Sequence, residues 1–180
     1  MATYIDSVRL LRERIEIVGD ALREVSRVPR PDDDPVGPGI FRLRVEDADI
    51  SALTLPGLSV SRSELSRVRF CDTELRLSAF HWADLVDCDF ARSDLRQADL
   101  RNCRFVGCRF DGAVFDGADL RGSTFRGCTF TDARFEGALL QRGGPLSWLG
   151  FGRNQDSLPI SLEQRSGIRW TSDAPEAPGG

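Results

Sequence analysis

From residue 40 to residue 140, every fifth residue is large and apolar. The column begins Ile40, Val45, Ile50, Leu55, Val60, Leu65, Phe70 and ends Phe125, Phe130, Phe135, Leu140, and all 21 of its positions fit. In a chain that is 41% hydrophobic, chance does not produce such agreement. The register never slips, so no loop interrupts this stretch. Neither the 3.6-residue period of a helix nor the 2.0-residue period of a strand equals five. A coil whose faces are each five residues long does, and a fixed repeat of this kind decides the fold.

The residue two before each large one is mostly small. This second column includes Ala48, Ser63, Thr73, Ser78, Ala83, Cys88, Ser93, Ala98, Cys103, Cys108, Ala113, Ala118, Ser123, Cys128, Ala133 and Ala138, with Leu53, Leu58 and Val68 as larger exceptions near the start. Each unit therefore has one large and one small inward residue and three outward ones. The units ADLRQ-ADLRN-CRFVG-CRFDG-AVFDG-ADLRG-STFRG resemble the A(D/N)LXX pattern of the pentapeptide-repeat family, over residues 38 to 142. The resemblance implies an all-β solenoid, a right-handed quadrilateral β-helix with four units per 20-residue coil. Twenty-one units make about five coils, and strand spacing near 4.8 Å gives a rod roughly 25 Å long.

Stacking by that coil length predicts inner ladders: Ile50, Phe70, Phe90, Phe110, Phe130 in one, and Ala48, Val68, Cys88, Cys108, Cys128 beside it. Buried cysteines in such a ladder are small core fillers. The spacing of the five cysteines, with no CxxC pair, suggests neither a zinc site nor a disulfide framework. Cys71 follows an inward residue and is expected nearer the surface. Acid and arginine flank the large residue in Glu74/Arg76, Asp94/Arg96, Asp99/Arg101 and Asp119/Arg121. The glycines at 107, 112, 117, 122, 127 and 137 are expected at corners.

Both ends leave the period. In residues 1–28 the residues Val8, Leu11, Ile15, Val18, Leu22 and Val25 recur three and four apart, which predicts an amphipathic α-helix. It either caps the first coil or dimerises as a short coiled coil. Residues 29–38 read as a Pro/Asp/Gly linker and 39–142 as the β-helix. Residues 143–170, with Leu146, Trp148, Leu149, Phe151 and Trp170, read as a C-terminal cap or dimer segment. Residues 171–180 read as a disordered tail.

The chemistry is sparse. There is one histidine, His81, and no nucleophile elbow, P-loop or HExxH motif. No enzymatic activity, catalytic residue, metal or cofactor is expected. The net charge of −4, with every basic residue an arginine, does not suggest direct nucleic-acid binding. No apolar run is long enough to span a bilayer, and the first residues lack a secretory pattern, so a cytoplasmic protein is expected.

A rigid repeat rod suits protein–protein interaction or scaffolding. The resemblance also implies a second role, a DNA mimic that binds DNA gyrase and protects it from quinolones or toxins. A third is an immunity protein for one cognate toxin. A mimic needs a concentrated acidic surface. Residues 38 to 142 instead carry 16 acids and 15 arginines. By face, the sums are +3 for the one starting at Ile40, −1 at Val45, −2 at Ile50 and −1 at Leu55. The Ile40 face stands out, and Phe41, Arg42, Arg62, His81, Trp82, Arg101 and Arg121 are its candidate binding residues.

Overall fold

The structure, a computed structural model, describes residues 3–14 and 44–140. Helix α1 spans Tyr4–Arg14, and five three-residue strands follow: β1 (Arg44–Glu46), β2 (Glu64–Ser66), β3 (Asp84–Val86), β4 (Arg104–Val106) and β5 (Thr124–Arg126). They form one parallel sheet in chain order. Val45 pairs with Leu65, Leu65 with Leu85, Leu85 with Phe105 and Phe105 with Phe125. The register is a strict 20 residues, so the chain is a β-solenoid with four faces per coil.

The five-residue face has a specific hydrogen-bond logic. The N–H of each large residue reaches the next coil, as Phe70 N donates to Asp89 O at 2.7 Å. The N–H before it reaches the previous coil, as Arg69 N donates to Ala48 O at 2.9 Å. Most corners are β-turns: Phe90 O accepts from Ser93 N at 3.1 Å and Phe110 O from Ala113 N at 3.0 Å. Positive φ at their third residue makes them type II. That residue is two after the large one, and φ is positive there at every corner from Asp47 (54°) to Gly137 (64°).

An aspartate before the large residue fixes the corner from outside. The Oδ1 atoms of Asp94, Asp99 and Asp119 accept the backbone N–H of Arg96, Arg101 and Arg121 at 3.2, 3.2 and 3.1 Å. Those N–H groups have no ladder partner of their own, which explains why an acid suits this position. The same aspartates hold the arginine side chains. Glu74 and Arg76, paired in the sequence reading, form no ion pair. Arg92 instead bridges a whole coil to Asp72, at 2.7 and 2.6 Å.

Large and small inward residues trade off along the axis. In the first coil the large column holds Val45, Ile50, Leu55 and Val60, and Leu53 and Leu58 fill the small column. The fourth and fifth coils instead carry Phe105, Phe110, Phe115, Phe125, Phe130 and Phe135 in the large column and only Ala, Ser or Cys in the small one. A fixed cross-section demands this exchange, because cores tolerate neither voids nor overfilling. Phe70, Phe90, Phe110 and Phe130 stack with centroids 4.5, 5.1 and 5.1 Å apart. Cys88, Cys108 and Cys128 are buried beside them, and Cys71 is only partly covered. Burial and sulfur–sulfur hydrogen bonding make Cys108 hard to deprotonate, the contacts with Cys128 and Cys88 contributing most.

Helix α1 is N-capped by Thr3. Thr3 Oγ1 accepts from Asp6 N at 3.2 Å and donates to the Asp6 carboxylate at 2.7 Å. It lies over the first coil with Leu11 fully buried and Val8 against the core. Its side chains replace missing ladder partners. In the second coil, Glu74 N donates to Leu53 O, and the carbonyls of Arg69 and Cys71 accept from Ile50 and Ala52 N, each at 2.9 Å. In the first coil the equivalent Thr54 N donates to Ser7 Oγ at 2.8 Å. The equivalent carbonyls, of Asp49 and Ser51, accept from Arg14 Nη1 at 3.3 and 3.1 Å. Ile15, Val18, Leu22, Val25, the linker, Leu146, Trp148, Leu149, Phe151, Trp170 and the tail lie outside the described residues.

Candidate functional site

Corners give the sharpest contrast on the surface. The 19 corner positions from 47 to 137 all have φ between 53° and 77°. A residue with a Cβ loses roughly 1–2 kcal/mol in this region, and only Gly, Asn and Asp visit it readily. Seven corners are glycine, five are Asp or Asn and four are Arg or Gln. The rest are Ala52, Leu77 and Trp82. Among the described residues Leu77 and Trp82 are thus the only large apolar corners, and they are consecutive. They bound a single face of the second coil, and both face solvent, 42% and 50% exposed. Neither residue gains a favourable backbone or a core position.

Between them lie Ala79 and His81, with Ser59, Ser61 and Arg62 one coil before. Asp99, Arg101 and Asn102 lie one coil after, and Asp119 and Arg121 two coils after. The structure therefore brings Arg62, His81, Trp82, Arg101 and Arg121 onto one face. Phe41 and Arg42 lie outside the described residues. Leu77 is absent from the sequence-based set. Reading the outward columns separately would have found it, as a large apolar residue at a corner position.

A polar chain crosses this face. Ser59 Oγ and Ser61 Oγ are 3.4 Å apart, and Ser61 Oγ is 3.3 Å from His81 Nδ1. His81 Nδ1 is 3.7 Å from Asp99 Oδ2. Arg101 then binds Asp99 at 2.8 and 2.7 Å, and its Nε is 3.8 Å from Asp119. Arg121 closes the series on Asp119 at 2.9 and 2.6 Å. Burial pushes the Asp99 and Asp119 carboxyls up, but the hydrogen bonds and charges of their arginines outweigh it and hold both below the usual range.

Ser61, His81 and Asp99 share residue types with a hydrolytic triad, but not its geometry. Both partners meet the same ring nitrogen, so the carboxylate does not orient the other nitrogen towards the hydroxyl. Among the described residues, no group of three or more His, Cys, Asp or Glu side chains is placed to hold a metal ion. None of the helices among them is long and apolar enough to cross a membrane.

The ion pairs redistribute the face's charge. Arg101 and Arg121 are neutralised by the aspartates in their own units. Arg62 is the one cation on this face without an acidic partner among the described residues. It sits on the same edge as Trp82, one coil away.

Residues 80–143 match the family model described as a pentapeptide repeat region. Among solved structures, a pentapeptide repeat protein from the Arabidopsis thaliana thylakoid lumen aligns at 26% identity with a TM-score of 0.51, covering 66% of this chain and 82% of that one. The pentapeptide repeat protein Rfr23 from the cyanobacterium Cyanothece 51142 aligns at 20% identity, TM-score 0.44, over 57% of this chain and 79% of that one. QnrB1, a plasmid-mediated fluoroquinolone resistance protein, aligns at 21% identity, TM-score 0.42, over 51% of this chain and 48% of that one. No curated protein matches the chain.

Proposed function

We propose that this pentapeptide-repeat β-helix is a non-enzymatic binding rod that recognises another protein through the face bounded by Leu77 and Trp82. One observation carries the reading: the two large apolar corners are strained, half exposed and adjacent. Backbone strain retained without structural gain points to function, and a half-exposed tryptophan beside arginines has the make-up of an interface hot spot. The rest of the rod supplies a rigid platform, since every coil is tied to the next by its ladder.

The reading covers both a scaffold and a regulator or immunity protein, which differ in the number and affinity of their partners. Partners retained by the immobilised full chain are compared with those retained by the Trp82→Asn/Arg62→Ala double variant. Specific partners are expected to be lost while stability stays within about 1 kcal/mol of the parent. Identical sets would overturn the proposal. The gyrase-protecting role implied by the family resemblance is checked separately, in a supercoiling assay with and without a quinolone. The paired charges on the described faces lead us to expect neither inhibition nor protection at micromolar protein.

A further inference from the structure

We infer that the segment seated on this face is acidic: a stretch of a partner protein that lays an apolar side chain between Leu77 and Trp82 and sets a carboxylate on Arg62. The inference rests on the reading of this face as a binding surface, and it adds the chemistry of the partner.

Three features of the face specify that chemistry. Two large apolar corners, Leu77 and Trp82, are exposed, and Ala79 leaves the surface between them low, with His81 beside it. The rim is polar, because the corners that follow Leu77 and Trp82 along the axis are Gln97 and Asn102. Exposed aromatic and aliphatic anchors within a polar surround have the make-up of a protein interface. Charge then sets the sign. Arg101 and Arg121 are held by Asp99 and Asp119, and Arg62 has no acid among the described residues. A partner carboxylate would complete the one open valence on the face.

Other occupants fit less well. Nucleic acid needs several free cations along a groove, and this face offers one beside a row of aspartates. An anionic membrane needs a basic cluster of several residues. A second copy of the chain would present this same face, whose aspartates are both engaged by arginine, so Arg62 would stay unanswered.

The test is a random peptide library displayed on phage, selected on the full chain and counter-selected on Trp82→Asn. The selected peptides are expected to place Asp or Glu close to an apolar residue. A synthetic peptide of the winning sequence, followed by fluorescence anisotropy, is expected to bind at least about tenfold more weakly to Arg62→Glu. Exchanging its acid for lysine is expected to restore binding to that variant. Peptides that lose binding on Trp82→Asn but ignore Arg62→Glu, or that are basic, would overturn the acidic partner and leave the binding face standing. Failure to select any peptide sensitive to Trp82→Asn would overturn both. A labelled single-stranded oligonucleotide and anionic phosphatidylserine vesicles serve as the other arms, and Trp82-dependent binding of either would overturn the acidic partner.

Discussion

The Oδ1 atom of Asp87 occupies the place that a Cβ on Gly107 would take, one coil further along the same corner. Asn102 does the same over Gly122, and Arg92 and Gln97 lean on Gly112 and Gly117. Corner side chains therefore tilt towards the following coil, and the glycines of the fourth coil make room for those of the third.

This separates two costs of filling a corner. At Gly137 nothing lies within 4 Å of an added Cβ. Gly137→Ala is expected to cost only the left-handed backbone term, about 1 kcal/mol. Gly107→Ala carries the same term and must also displace Asp87. Urea unfolding should show the larger loss at Gly107. In the Asp87→Ala background, the loss from Gly107→Ala should fall to the Gly137 value.

Phe80 and Trp82 lie two residues apart and should behave oppositely. Phe80 is fully buried and meets Phe70 and Phe90 edge-on, with centroids 5.9 and 6.0 Å apart. Phe80→Ala is expected to lose about 3–5 kcal/mol. Trp82→Asn exchanges a half-exposed ring for a side chain that tolerates the left-handed corner, and should stay within about 1 kcal/mol of the parent. Equal losses in denaturant melts would show that Trp82 is a structural residue.

The period exposed the inward half of each unit, because large and small inward residues obey one rule throughout the repeat. Corners obey a backbone rule instead, and Asp47, Arg62, Leu77, Trp82 and Gly107 all satisfy it with different side chains. A corner is thus visible by its number but not by its chemistry, which is how Leu77 escaped notice. Charge pairing was legible only where partners share a unit. Asp99 with Arg101 was found, whereas Arg92 with Asp72 needed the coil to bring residues 20 apart into contact. The contacts of α1 were not legible, since nothing in a helical stripe says that Ser7 and Arg14 stand in for a coil.

The cap should be measurable at single hydrogen bonds. Ser7→Ala removes the acceptor of Thr54 N–H and is expected to cost about 1 kcal/mol, because that donor is partly buried. Hydrogen exchange at the Thr54 amide should accelerate, and exchange at Asp94 and Val114, in the later coils, should not. Arg14→Ala should have a smaller effect, since its two carbonyls remain open to water. An unchanged Thr54 amide in Ser7→Ala would show that the helix does not close the ladder.

Acid should loosen the outer surface before the core. Several carboxyls are held below the usual range. At Asp72 the Arg92 hydrogen bonds are the main cause. At Asp94, Asp99 and Asp119, burial acts in the opposite direction and is outweighed by the partner arginines. A carboxyl whose folded pKa lies below its unfolded value stabilises the fold above the unfolded value, near pH 4. That stabilisation disappears as the pH falls through the folded value. Thermal melts should therefore be nearly flat in pH down to about 5 and decline below about 4. Asp99→Asn removes both the arginine pair and the charge facing His81, so its melting temperature should be lower at neutral pH and fall less steeply in acid. A variant whose acid slope matches that of the parent would show that Asp99 contributes nothing to it.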